Sequence, residues 1–508
     1  MIRKLNGMFS IVLVDLRIDR MFVARDRFGI KPLYYSVQNE CLFFSSEIKA
    51  LIQFREFKRE LDTDAYYMNL IFPKLGERLI IKNVEALKPG TYITFNIASE
   101  RGIVSQNTYF DIDQYVERRE FQKEEDALDE LSFVLRNAVK RQLVSDVQVG
   151  CQVSGGIDST LIAYYMSENR KGDAINGFSV VDPYDVNEEK YVDHVEKQIG
   201  INLYKYKADV EFFTNHYEDV IWYSDVPLHK AYASEYYKIA MNAREKNCTV
   251  LLSGEGADEI AGGYSRFANG CFVPFISSLK QNNSSITSYD SYADYVVLVG
   301  SAYNEGIRLI PSKNNIDSSI KEYVDIFNGY TGSDFEKELK FETAYGLRDL
   351  LIRQDKMMMA WSIENRVPFL DNEVVDFMFS LPEDLLVQFA DKSPMNLDKN
   401  IFTWVEGKYL LKALTAKKFG NEFAYRKKTG MAFNEKKIFG SPQFKDIYKR
   451  NILPGIKERG ILDANKVDEL YQNMDGNSVR QIGVMWRAMN MELWCQLFID
   501  GRKRQEVV

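Results

Sequence analysis

From about residue 144 to 260, strand-like and helix-like runs alternate, and this alternation limits the fold more than any other feature of the chain. Strand candidates are Val147–Val153, Ile175–Val181, Leu203–Lys207 and Cys248–Leu252, with helical runs between them that include Asn187–Ile199 and Phe212–Tyr223. Such a βαβα rhythm predicts an α/β fold, a parallel sheet with helices on both faces. Ligands of these sheets sit beyond the carboxyl ends of the strands. Two of the predicted strands run directly into glycine-rich segments.

The first such segment is Ser154-Gly155-Gly156-Ile157-Asp158-Ser159, followed by the helix-like run Thr160–Met166. A strand that turns through paired glycines into a helix presents free backbone N–H groups and a positive dipole end to an anion. Gly155 and Gly156 permit close backbone approach and positive φ. Ser154 and Ser159 add hydroxyl donors, and Asp158 is suited to hold a metal that shares the phosphate charge. No Gly-Lys-Ser/Thr follows, so this is not a Walker loop. A Gly-Gly turn with a Ser/Asp cap is also an ordinary surface feature; the strand–loop–helix setting is what favours phosphate.

The second segment, Ser253-Gly254-Glu255-Gly256-Ala257-Asp258-Glu259, precedes Gly262-Gly263-Tyr264. Three carboxylates beside a phosphate loop are costly unless a cation or substrate compensates them. Asp158 and Asp258 are the natural pair to share Mg²⁺ bound to a triphosphate. Glu255 is then free to handle a substrate amine or its proton.

Elsewhere the chain reads more simply. To about residue 112 it is rich in short β-like runs: Met8–Val14, Met21–Ala24, Cys41–Phe44 and Thr91–Phe95, with turns such as Lys88-Pro89-Gly90 between them. The charged stretch Glu117–Glu120 leads into a helical pattern with Leu128, Leu131, Leu135 and Ala138 on one face, which sets a domain boundary. Beyond residue 260 the pattern is mostly helical, interrupted by the polar loop Gln281–Ser285. Arg426-Lys427-Lys428-Thr429-Gly430 offers cations to a departing pyrophosphate, although composition alone favours a solvated charge run. The stretch Asp355–Asp371 mixes apolar residues with charges that require partners if buried, and its Met357–Met359 run reads as core filling.

At 508 residues the chain exceeds what one core can hold. A net charge of −8 argues against a nucleic-acid partner bound through a general basic surface, and Arg502-Lys503-Arg504 reads as a solvated tail. The 5 cysteines contain no CxxC pair and the 3 histidines are dispersed, so neither a disulfide framework nor a zinc centre is expected. No apolar stretch of about 18 residues and no signal-peptide core is present, so the expectation is a cytoplasmic protein with no membrane partner. A homodimer is compatible with the sequence.

Together these segments resemble the asparagine synthetases that use glutamine. Ser154–Ser159 is similar to that family's pyrophosphatase-type ATP loop, Leu251–Tyr264 to its second ATP and magnesium loop, Asp355–Asp371 to its E-x-R-x-P-F-L-D segment and Arg426–Gly430 to its R-x-K-x-G segment. Leu5–Phe9, Ala24–Tyr35 and Ser45–Leu51 are like its glutaminase domain. The resemblance implies a partial Ntn-type glutaminase β-sandwich over residues 1–115. Residues 116–508 would then form an adenine nucleotide α-hydrolase-like ATP-pyrophosphatase domain with a helical extension. It also implies amidation of aspartate to asparagine through β-aspartyl-AMP, with ATP and Mg²⁺. By the same resemblance Ser154, Gly155, Gly156, Asp158, Ser159, Val180, Ser253 and Gly254 hold ATP, Asp158 and Asp258 hold Mg²⁺, Glu255 serves the ammonia step, and Lys428 stabilises the transition state and pyrophosphate.

Two departures stand out. The family's glutaminase uses a cysteine exposed by methionine removal, whereas Met1 is followed here by Ile2. The expectation is a start at an internal methionine within the glutaminase domain, and turnover of this chain with ammonium rather than glutamine. The second departure is Asp225-Val226-Pro227-Leu228-His229-Lys230, where the family commonly has an acidic D-E-P stretch near the acceptor pocket. It leaves the acceptor open between aspartate and another carboxylate, such as a uronic-acid sugar or a peptide, unless His229 and Lys230 are both rim residues, the more ordinary reading for Lys230. A nucleotide-binding remnant without activity is the remaining alternative.

Overall fold

The computed structural model describes residues 1–504 apart from 39–40, 73–75, 99–102, 171–173, 182–188, 265–266, 268–292, 294–295, 298–302, 312–315, 390–404 and 427–433. The polar stretch Gln281–Ser285 and Lys428 therefore lie outside the described residues.

The N-terminal part forms two antiparallel sheets. One contains β1 (Ser10–Asp15), β2 (Arg20–Arg25), β6 (Thr91–Asn96) and β7 (Ile103–Thr108) in the order β1-β2-β6-β7. The other contains β3 (Tyr34–Gln38), β4 (Cys41–Ser45) and β5 (Val84–Ala86) in the order β4-β3-β5. Met21, Val23, Ile93 and Phe95 from the first pack with Tyr35 from the second and with Leu33 and Leu87, which flank its strands, giving the expected sandwich. Val12, Leu13 and Val14 on edge strand β1 are exposed. A buried helix, Val479–Phe498, places Trp486 and Trp494 in a core that also takes in Tyr66, Leu70 and Ile71 from α2 (Thr63–Ile71).

The α/β part follows the predicted rhythm. Its sheet is wholly parallel, with β8 (Val149–Gln152), β9 (Asn176–Val181), β10 (Asn202–Lys207), β11 (Val250–Leu252) and β12 (Glu364–Arg366) in the order β10-β9-β8-β11-β12. β11 (Val-Leu-Leu) is apolar throughout, as a parallel strand covered on both faces favours, whereas β8 and β9 bury polar side chains as well, Gln152, Asn176 and Ser179. Helix α3 (Glu124–Gln142) buries Leu128, Leu131, Leu135 and Ala138, the face marked by their spacing. The chain runs from β8 outward through β9 and β10, then returns to place β11 on the other side of β8. The sheet therefore reverses direction between β8 and β11, and a crevice opens where two connections leave toward opposite sides.

Two sequence expectations require correction. Beyond residue 260 the pattern is not helical throughout, because Glu364–Arg366 adds β12 to the sheet, in register with Val250–Leu252. Its alternation is polar and it has one neighbour, so no apolar signal announces it. The Met run is core only in part: Met357 and Met358 are buried, while Met359 is exposed. Among the described residues no helix is long and apolar enough to cross a membrane.

Candidate active site

The two glycine-rich segments leave adjacent strands on either side of the switch point and meet. The first loop follows β8 and opens α4 (Ile157–Asn169), whose N-cap is Gly156 with no side-chain cap. That leaves backbone donors at the helix start for a ligand. Gly155 adopts φ +72°, whereas Gly156 sits at −69°, so only the first glycine needs positive φ, contrary to the expectation for both. The serines fold the loop on itself: Ser154 N donates to Ser159 Oγ at 3.2 Å, and Gly156 N to Ser154 Oγ at 3.3 Å.

The second loop follows β11. Gly256 lies in the left-handed region, at φ +91°, as it turns into α8 (Ala257–Ile260). A Cβ on Gly254 would fall 2.7 Å from Ser159 N and 2.8 Å from Asp158 Cβ. Only a glycine lets the two loops touch in this way. Beneath them runs a chain of buried amides. Gln354 Nε2 donates to Gln152 Oε1 at 3.2 Å, Gln152 Nε2 to Asn365 Oδ1 at 2.9 Å, and Asn365 Nδ2 to Ser253 Oγ at 3.2 Å. Val180 is half-buried near the carboxyl end of β9, beside the first loop's strand.

Asp158 and Asp258 converge on a side chain no motif marked. Lys408 Nζ lies 2.6 Å from Asp158 Oδ2 and 2.8 Å from Asp258 Oδ1, with Lys408 only 4 % exposed. Burial opposes its charge, but the two carboxylates outweigh burial and hold its ammonium above the usual lysine range. Asp158 Oδ1 is buried without a hydrogen-bond partner among the described residues. A divalent cation fits this donor set, because two carboxylates already share one cation and an oxygen remains uncompensated. Among the described residues no group of three or more His, Cys, Asp or Glu could hold a metal ion.

Glu255 stands on the second loop, where burial and, added to it, the charges of Asp258 and Asp158 raise its carboxyl. Tyr236 OH, from α7 (Ala233–Glu245), donates to its Oε1 at 2.9 Å. Burial raises the Glu255 carboxyl above the usual range despite the opposing influence of Arg353 and Tyr236. The Arg353 guanidinium, on the helix Leu347–Met359, stacks 4.6 Å from the Tyr232 ring centre and 5.8 Å from that of Tyr236. Its NH1 donates to Asp349 Oδ2 at 3.3 Å, and Asp349 Oδ1 lies 2.9 Å from His229 Nδ1. His229 is buried at 2 % exposure and is no rim residue, whereas Lys230 is exposed.

Lys428 lies outside the described residues, but Arg426 at the head of its segment donates to Gly155 O and stacks 4.1 Å from the Tyr191 ring centre. The segment therefore starts on the first loop. Lys408, Tyr236, Arg353 and Asp349 were not singled out from sequence. Lys408 stands alone after Gly407, and Asp158 is 250 residues away along the chain.

Comparison with known proteins fits this geometry. A model of the asparagine synthase family matches residues 130–496, most of the chain. The chain belongs to the asparagine synthase family. A glutamine amidotransferase domain model matches residues 1–110, the sandwich half. Membership makes the protein a carbon–nitrogen ligase of the family that joins these two domains. The glutamine-hydrolysing asparagine synthetase 1 of Bacillus subtilis (strain 168) is 27 % identical over 529 residues, an alignment covering 99 % of this chain and 79 % of that protein. The same organism's synthetase 2 is 28 % identical, and the alignment spans 75 % of this chain but only 51 % of the relative. Amidase chry2 of Gibberella zeae is 23 % identical, with 95 % of this chain and 78 % of that protein covered.

Proposed function

We propose that this asparagine synthase family member amidates aspartate to asparagine through a β-aspartyl-AMP intermediate. The observation that carries the reading is the convergence of Asp158 and Asp258 across two touching glycine loops at the sheet's switch point. Ser154, Gly155, Gly156, Asp158, Ser159, Val180, Ser253 and Gly254 bind ATP, with phosphates against the open N-terminus of α4. Asp158 and Asp258 are the residues that would hold Mg²⁺, which when bound neutralises phosphate charge. In this reading the nucleotide half is residues 116–508 and the sandwich half residues 1–115.

The aspartate carboxylate oxygen attacks the α-phosphorus, and the bond to the bridging oxygen breaks as pyrophosphate leaves. Lys428 receives the charge that accumulates there. Ammonia then attacks the acyl carbon, AMP departs, and Glu255 takes the proton that the nitrogen loses. Tyr236 orients Glu255 through its hydrogen bond, and Arg353 keeps it from standing as an isolated buried charge.

Pyrophosphate release from Mg·ATP, measured with ammonium and with or without aspartate, tests the proposal. Release that depends on aspartate and matches asparagine formation one for one is expected. No aspartate-dependent release, or equal release with a uronic acid in its place, would refute aspartate as the acceptor.

A further inference from the structure

Lys408 is held between the two aspartates by backbone constraints as well as charge. It follows the short strand Val405–Gly407 and caps the helix Tyr409–Phe419 at φ +57°, a left-handed conformation that a lysine adopts only at an energetic cost. Its N–H donates to Ala261 O at 3.2 Å and its own carbonyl accepts from Lys412 N at 2.9 Å. Gly407 is pressed onto the second loop, since a Cβ there would lie 2.3 Å from Gly262 O. A Cβ on Gly263 would lie 2.2 Å from Lys408 Cε and 2.1 Å from Asp258 Oδ1. Glycines on both sides thus clear a path for this one side chain to the carboxylates. Its ammonium uses the same lone pairs that a divalent metal would take. Asp158 Oδ1, on the other side of that carboxylate, has no hydrogen-bond partner among the described residues.

We infer that Lys408 is a resident counter-cation of the nucleotide site, holding Asp158 and Asp258 together until Mg·ATP arrives and then turning onto phosphate oxygens. The inference rests on the reading of these loops as a nucleotide site. Free metal must displace a buried ammonium held by two ion pairs, so it binds poorly alone. Triphosphate supplies new acceptors for that ammonium, so metal and nucleotide enter together. Lys408 in this scheme is a binding residue that also orders the arrival of ligands.

The test uses Mn²⁺ alone, followed by electron paramagnetic resonance in the absence of nucleotide, on the full chain and on Lys408→Met. The variant should bind Mn²⁺ about tenfold tighter or better than the parent, given that one competing charge is gone. Adding Asp258→Asn to Lys408→Met should abolish the gain. Lys408→Arg, which keeps the charge, should stay at the parental affinity and serves with Lys408→Gln if the methionine variant does not fold. Equal Mn²⁺ affinity in parent and uncharged variants, or a gain that survives Asp258→Asn, would overturn the inference. Aspartate-dependent pyrophosphate release by the parent is scored separately, so failure of the proposed reaction and failure of the Lys408 role give different results.

Discussion

At the scale of single residues, the site separates two carboxylate roles by their surroundings. Asp158 and Asp258 face a cation, whereas Glu255 faces a phenol and a guanidinium at some remove. Burial raises the Glu255 carboxyl, so it stays protonated to higher pH than an ordinary glutamate. Its proposed task requires the ionised form. The ammonia-dependent rate, compared at constant free ammonia, should therefore fall off on the acid side at a pH above the usual carboxylate range. Tyr236→Phe removes a donor that favours the ionised form, so the acid limb should move to still higher pH. An unchanged limb in that variant would mean the Tyr236–Glu255 contact does not tune the step. The aspartates and Glu255 could be named from sequence because they sit in glycine loops after strands. Lys408, Tyr236 and Arg353 could not, because nothing local distinguishes them and only the fold brings them near.

At the scale of elements, the alternation of β8 to β11 with their helices was readable because strand-like and helix-like runs follow one another along the chain. The end of the sheet was not. β12 is Glu-Asn-Arg, stabilised by pairing with β11 and by the amide chain through Asn365, and neither is a local property. The contact between the two glycine loops belongs to this scale. Gly254→Ala forces a methyl against Ser159 N and Asp158 Cβ, and overpacking of this kind costs about 1–3 kcal/mol. We expect a lower unfolding midpoint together with a raised KM for ATP, since the loops must part. A variant with parental stability and parental KM would show that the close approach has no part in nucleotide binding.

At the scale of the whole molecule, the sandwich and the parallel-sheet halves are joined at the segment whose sequence departs from the family. Asp225, fully buried at φ +62°, accepts from Ile48 N and Lys49 N at the start of α1 (Ile48–Leu51), both at 3.1 Å. Lys356 Nζ, on the helix that carries Arg353, lies 2.6 Å from Asp225 Oδ2 and donates to Ser46 O at 2.6 Å. Lys31 meets Asp355 at 2.6 Å on the same seam. The stretch leading to His229 is therefore anchored by the N-terminal half, four residues before the histidine enters its contact with Asp349. The sequence marked this stretch as unusual but gave no sign that it is a junction, since each partner is over a hundred residues away. The central claim, that the two loops activate an acid by adenylation, is tested most directly by supplying aspartate labelled with heavy oxygen in its side-chain carboxylate, with Mg·ATP and ammonium. The account predicts one labelled oxygen in the AMP released. Label absent from AMP and found in inorganic phosphate would contradict it, because the acid would then have been phosphorylated rather than adenylated.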